Sequence, residues 1–261
     1  MENISRSNSM IWFHIISFHI ILLFAVTSFA QPNQGVINSI EPGTITFIGE
    51  SHHRIESPLL IKQLVNELVS NGQCPIVALE IGSDQQPVID QVMADKKPTG
   101  AIEISDIIGH EPYRRMIGYL ARMKSKGSCL SVTAIDTGES DMVDRNKWMA
   151  ARLSALPTDR PVVVLVGALH TLKRVDWTVP TGKPYAAEIL VNQGFRVKSF
   201  PQRWIPDQCS EHSKRRQRFV DADDPEAVVI LNETLLSLLN SEPAGSAEGV
   251  VDGFIVWECE S

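Results

Sequence analysis

The chain lacks the fingerprints of several common enzyme classes. There is no G-x-S-x-G elbow, so Ser51 is not placed like the nucleophile of an α/β-hydrolase. A phosphate-binding loop and a G-x-G-x-x-G dinucleotide fingerprint are both missing. No C-x-x-C spacing occurs, which removes the usual zinc ribbon and the thioredoxin-type redox pair. An excess of positive charge is also missing. Lys and Arg number 24 against 31 Asp and Glu, a formal net charge of −7. That balance argues against nucleic acid or anionic lipid as a main partner, because both favour basic surfaces. The one basic run, Lys214-Arg215-Arg216-Gln217-Arg218, reads as a solvated surface stretch.

Long apolar runs are confined to the start of the chain. Arg6 precedes an apolar run from Met10 to Ala30, and Ser28-Phe29-Ala30 fits the small-x-small cleavage pattern before Gln31. Residues 1–30 are therefore expected to be a signal peptide, with 31–261 a single domain delivered to the periplasm or secreted. The alternative is an uncleaved anchor, which would be the chain's only contact with a membrane. Four cysteines in an oxidising compartment suggest pairing. Cys74 and Cys129 each stand just before an expected strand, and adjacent parallel strands would bring them together at one rim of a sheet. Cys209 with Cys259 follows by elimination. Asn232-Glu233-Thr234 is a glycosylation sequon, meaningful only in a eukaryotic secretory pathway.

What is present is an alternation of strand and helix, which predicts an α/β fold with a mainly parallel sheet flanked by helices. Expected strands are 44–48, 76–79, 130–135, 162–166, 195–200 and 253–257. Expected helices are 58–71, with Ser57 as N-cap, then 86–93, 113–126, 142–156, 186–192 and 225–239. The polar stretch 207–224 reads as a surface excursion and 241–249 as a linker. Polar residues collect just after the apolar strands: Gly49-Glu50-Ser51-His52-His53, Glu80, Asp136-Thr137-Gly138-Glu139, and Gly167-Ala168-Leu169-His170. In a parallel sheet those strand ends share one rim, where ligands bind. Turn chemistry alone accounts for Asp136 and Glu139 most readily. Glu50, His52, Glu80 and His170 are thus the candidate site. They can hold a divalent metal such as Zn, Mn or Fe with an open water position. Alternatively, a glutamate can orient a histidine as a general base acting on water directly. Arg145, at the start of the helix after the third strand, can reach the same crevice and clamp an anionic group.

These residues, in this order, resemble the ChaN-like proteins, whose superfamily also holds the erythromycin esterases and the Tiki and TraB proteins. The likeness rests on Gly49-Glu50-Ser51-His52, Ala78-Leu79-Glu80, Gln85-Gln86-Pro87-Val88-Ile89-Asp90, Tyr113, Arg145-Asn146-Lys147-Trp148-Met149-Ala150 and Val164-Leu165-Val166-Gly167-Ala168-Leu169-His170. It covers about Ile45 to Phe200. The G-E-x-H spacing is closer to ChaN than to the esterases, which carry one more residue before the histidine. The chain departs from the pattern at Asn146 and His53, where Asp is common. The resemblance implies an α/β fold with a Glu/His/Arg site. For function it implies one of two things: hydrolysis of an ester or amide, metal-dependent in the Tiki-like branch, or binding of haem or iron through His or Tyr ligands. The expected partner is a small molecule, a peptide substrate or haem.

Overall fold

A computed structural model describes residues 34–138, 144–209 and 214–260. The expected signal segment lies outside them, as does Glu139. After a short helix α1 (Gln34–Ile37), the order is β1 (Thr44–Glu50), α2 (Glu56–Ser70), β2 (Ile76–Gly82), α3 (Gln86–Met93), α4 (Glu111–Ser125), β3 (Ser131–Asp136), α5 (Arg145–Ser154) and β4 (Val162–Gly167). Then come α6 (Ala186–Asn192), β5 (Arg196–Ile205), β6 (Arg215–Asp221), α7 (Pro225–Ile230) and β7 (Gly253–Cys259). The seven strands form one sheet in the order β3-β2-β4-β1-β5-β7-β6. Every pairing is parallel except that of β6 with β7. The expected α/β class with a mainly parallel sheet is therefore what the chain adopts.

Central strands covered on both faces read as unbroken apolar runs, and β4 (Val162 to Val166) is buried throughout. Alternate residues of β2 feed two cores. Val77 and Leu79 pack with Leu60, Leu64 and Tyr113 from α2 and α4, while Ile76 and Ala78 pack with Met149, Leu153 and Leu190 from α5 and α6. A third core joins Leu172, Leu231 and Leu235 to Phe254 and Val256 of β7. Cys74 bridges Cys129 and Cys209 bridges Cys259, as the strand-rim argument and its remainder expected. The first bridge sits at the start of β2 and just before β3, at the rim away from Glu50 and Glu80. No helix among the described residues is long and apolar enough to cross a membrane.

Several expectations are corrected. Ser57 does not cap α2, which starts at Glu56; its side chain is buried and accepts a 3.0 Å hydrogen bond from Gln202 Nε2. The stretch 207–224 is not a surface excursion, because its second half is the edge strand β6. Nor is the basic run merely solvated. Arg216 and Arg218 pair with Glu258 on β7, Arg218 also with Glu226, and Arg215 with Glu56. Charged side chains along an exposed edge also discourage pairing with another chain. The helix expected over 225–239 is regular only to Ile230 and continues as a π-turn, Leu231–Leu235, and a 3-10 turn, Leu236–Leu238. There the Thr234 hydroxyl donates to the Ile230 carbonyl, a competing bond of the kind that distorts helices. The sequon Asn232 is engaged through both amide atoms with the Ala244 backbone at 2.8–2.9 Å.

Candidate active site

Four neighbouring strands deliver the site in spatial order along one rim. Asp136 ends β3, Glu80 lies near the end of β2, Gly167 ends β4 and Glu50 ends β1, with Glu50 in register opposite Gly167. The pairing of β2 with β3 shifts register between Leu79 and Gly82, an irregularity around Glu80 of the kind that re-aims side chains near sites. Glu50, His52, Glu80, Arg145 and His170 all line one cavity of about 380 Å³. The five residues singled out from sequence are therefore brought together. A larger cleft of about 1210 Å³ is lined by Glu80 and Asp136, but neither imidazole lines it. The smaller cavity is therefore the candidate active site.

Gly167 is the geometric centre. A methyl group placed on its Cα would lie 3.6 Å from His170 Cδ2, 3.7 Å from Glu80 Oε2 and 3.8 Å from His52 Cε1. Both imidazole rings therefore pack around the same point, each presenting a ring carbon to it. The neighbouring Gly49 serves packing instead. A methyl there would stand 2.9 Å from the Cα atoms of Ala168 and Pro201, so only glycine lets these strands and the turn after β4 approach so closely.

The carboxylates have different tasks. Glu80 accepts from the Gly167 backbone N–H at 2.6 Å through Oε2 and from Arg145 Nη2 through Oε1. Arg145 also grips Asp136 at 2.7 and 2.6 Å. Burial pushes Asp136 up, but the guanidinium bonds outweigh it and leave its carboxyl below the ordinary value; the same bonds raise Arg145. Glu50 is 3 % exposed. Its Oε1 lies 3.2 Å from His52 Nδ1, while Oε2 is buried without a hydrogen-bond partner among the described residues. Burial raises the Glu50 pKa, and the bond to Glu50 raises that of His52.

His170, on the short 3-10 turn after β4, is held differently. Its Nδ1 lies 2.7 Å from Asn146 Oδ1, which also accepts from the Ala186 backbone N–H at 3.1 Å. A backbone N–H is always a donor, so the amide orientation is fixed and His170 must carry its proton on Nδ1. Nε2 is then a lone pair, 4.0 Å from Glu80 Oε1. Burial lowers the His170 pKa and keeps the ring neutral. The two imidazoles are thus driven in opposite directions, the usual sign of divided acid and base roles.

Glu80 spends both oxygens on donors, while each imidazole is engaged at Nδ1 and keeps Nε2, which serves equally to take a proton or to bind a metal. Among the described residues no three His, Cys, Asp or Glu side chains are grouped to hold one ion. For haem, Tyr113 is wholly buried and offers no accessible phenol, while His52 and the adjacent His53 are exposed imidazoles. Residues that sequence reasoning undervalued are Asp136, discounted as a turn former, and Asn146, noted only as a departure from pattern. Trp204, Asp207, Thr234, Leu235 and Leu238, which complete the cavity, carried no sequence signal for it.

No family model matches the sequence, and no curated protein matches it. Solved structures do. A Bacillus cereus protein aligns over 88 % of this chain and 92 % of its own at 13 % identity, with a TM-score of 0.55. An erythromycin esterase, EreC, in its open conformation aligns over 84 % and 91 % at 11 % identity, with a TM-score of 0.54. The haem-bound ChaN of Campylobacter jejuni aligns over 64 % and 84 % at 12 % identity, with a TM-score of 0.48. The likeness is one of fold. It agrees with the α/β architecture that the motifs implied and leaves the chemistry to the site itself.

Proposed function

We propose that the protein is an exported hydrolase of ester or amide bonds that activates water with an imidazole and needs no metal. The observation that carries this reading is the convergence of two imidazoles, each anchored at Nδ1, with a ring carbon of each within 3.8 Å of the position a methyl on Gly167 would take. Glu50 orients His52 and stabilises the imidazolium that forms when His52 takes a proton from water. Neutral His170 accepts the second hydrogen bond of the same water through Nε2 and so fixes the direction of attack. Glu80, held by Arg145 and the Gly167 N–H, sets the floor. Among the described residues Arg145 Nη1 has no partner, and it is the donor placed to meet the oxygen on which charge develops. The fold shared with an erythromycin esterase and the motif resemblance support the reaction class. The two disulfides are compatible with an oxidising, extracytoplasmic location.

The test is hydrolysis of generic 4-nitrophenyl esters by the mature chain, before and after chelation, with metal analysis and a haem titration in parallel. Turnover is expected to survive chelation and to fall roughly 10²–10⁴-fold in His52→Ala, the usual contribution of general-base catalysis. Turnover that vanishes with the metal and returns with Zn or Mn would overturn the metal-free assignment. A Soret shift lost in His52→Ala, without ester turnover, would replace the hydrolase by a haem binder.

A further inference from the structure

The cavity has a second wall, and that wall comes from outside the motif-bearing part of the chain. Arg203 and Trp204 of β5, with Leu235 and Leu238 from the distorted end of the α7 run, face the catalytic residues across the same space as Leu169. Trp204 and Leu235 are buried, but Leu238 is 71 % exposed. An exposed leucine at the mouth of a polar cavity contributes little to the core, whereas burial against a bound apolar group would take it out of water. Arg203 supplies a second, independent feature. It is half-buried in the lining, yet among the described residues its guanidinium has no hydrogen-bond or ion-pair partner. Arg145 in the same cavity is held by two carboxylates. Gln202 cannot serve a ligand, because its amide is used on Gly49, Ser57 and Trp257.

Resting on the hydrolase reading above, we propose that the substrate is an amphipathic ester or amide with its apolar chain against Leu169, Leu235 and Leu238 and a carboxylate-type anionic group at Arg203. Charge sorts its orientation. Glu50 and Glu80 on the floor repel an anion, while the unpaired guanidinium on the opposite wall forms charge-assisted hydrogen bonds with one. Apolar burial supplies the remaining selectivity, roughly fourfold in affinity per methylene taken out of water. A small polar ester meets neither feature. Apart from Leu169, the residues that set the substrate class thus lie after Phe200, while the residues that perform the chemistry lie before it.

The probes are saturated monocarboxylates from acetate to decanoate, with octanol as a neutral control, titrated calorimetrically into the mature chain. Binding of these probes needs no turnover. Affinity is expected to be negligible for acetate and to climb roughly fourfold per methylene until the wall is covered. Arg203→Gln should weaken octanoate roughly tenfold and leave octanol unchanged, and Leu238→Ser should flatten the chain-length dependence. Both side chains reach solvent, so neither change threatens folding. Equal binding of octanoate and octanol, or no dependence on length, overturns the proposal. The same series as 4-nitrophenyl esters separates the two readings. Chain-length-dependent binding without turnover sinks the hydrolase and keeps the amphipathic site. Turnover with binding independent of length does the reverse.

Discussion

Asn146 Oδ1 lies 2.7 Å from His170 Nδ1 while accepting the Ala186 backbone N–H, so one amide oxygen fixes both the tautomer of the imidazole and the start of α6. Replacing it by Asp keeps the geometry but puts a negative charge on Nδ1–H. The His170 pKa should then rise from its lowered position, because an adjacent anion favours the imidazolium. Proton NMR titration of the ring in Asn146→Asp against the parent chain measures this directly. Asn146→Ala should instead leave two donors without an acceptor, at about 1–3 kcal/mol of stability in urea unfolding. A His170 titration unmoved by the Asp substitution would refute the assigned contact.

The pH dependence of turnover distinguishes the two imidazoles as base. His52 must be neutral to accept a proton, and its bond to Glu50 raises its pKa above 6.5, so activity should fall as pH drops through that raised value. If His170 were the base, the acid limb would sit below 6.5, because burial lowers its pKa. Glu50→Gln removes the main cause of the His52 shift. The acid limb of kcat/KM should then move to lower pH while the plateau falls. A limb that stays in place would remove Glu50 from its orienting role.

Much of this arrangement was legible in the sequence because parallel strands leave their ends on one rim. Glu50, Glu80 and His170 follow apolar runs too regular to mistake, and Arg145 opens the next helix. Asp136 was harder to credit, since an Asp after a strand is adequately explained by turn chemistry. Its part became visible only with the Arg145 guanidinium across it. The strand β6 was hidden because its arginines break the apolar alternation, and the carboxylates that hold them, Glu226 and Glu258, lie elsewhere along the chain. The leucine wall depends on how the segment after Ile230 distorts and folds back, a tertiary outcome with no local pattern.

Arg145 ties Glu80 to Asp136, so removing it exposes how far the floor depends on that cation. Arg145→Met leaves Glu80, 4 % exposed, with the Gly167 N–H as its remaining hydrogen bond. Loss of charge-assisted hydrogen bonds of this kind costs roughly 1.5–3 kcal/mol. Asp136 also loses the bonds that hold its pKa down, leaving burial to push it up. Its depressed value contributes stability that is present above the unfolded pKa and lost as pH falls through the folded one. The variant's deficit in urea midpoint should therefore be full at neutral pH and shrink as pH drops through the ordinary carboxylate range. A deficit constant from neutral pH down to strongly acid pH would show that the Asp136 bond contributes nothing to folding.

Two glycines one strand apart should answer the same substitution in opposite ways. In Gly167→Ala the new methyl meets His170, Glu80 and His52 at 3.6–3.8 Å, ordinary contact distances, and the backbone φ of −54° suits alanine. The protein should fold with an unchanged melting temperature. The methyl nevertheless stands against both imidazole rings, in the space where the proposed mechanism brings water and the scissile carbonyl together, so kcat should fall at least about tenfold, a barrier change of about 1.4 kcal/mol. In Gly49→Ala the methyl stands 2.9 Å from two backbone Cα atoms that cannot turn aside. That overpacking should destabilise by about 1–3 kcal/mol, with loss of activity following loss of fold. Thermal melts and kcat measured side by side separate the cases. A Gly167→Ala protein that melts normally and turns over normally would mean that the reacting atoms meet elsewhere, and the roles given to both imidazoles would fall with it.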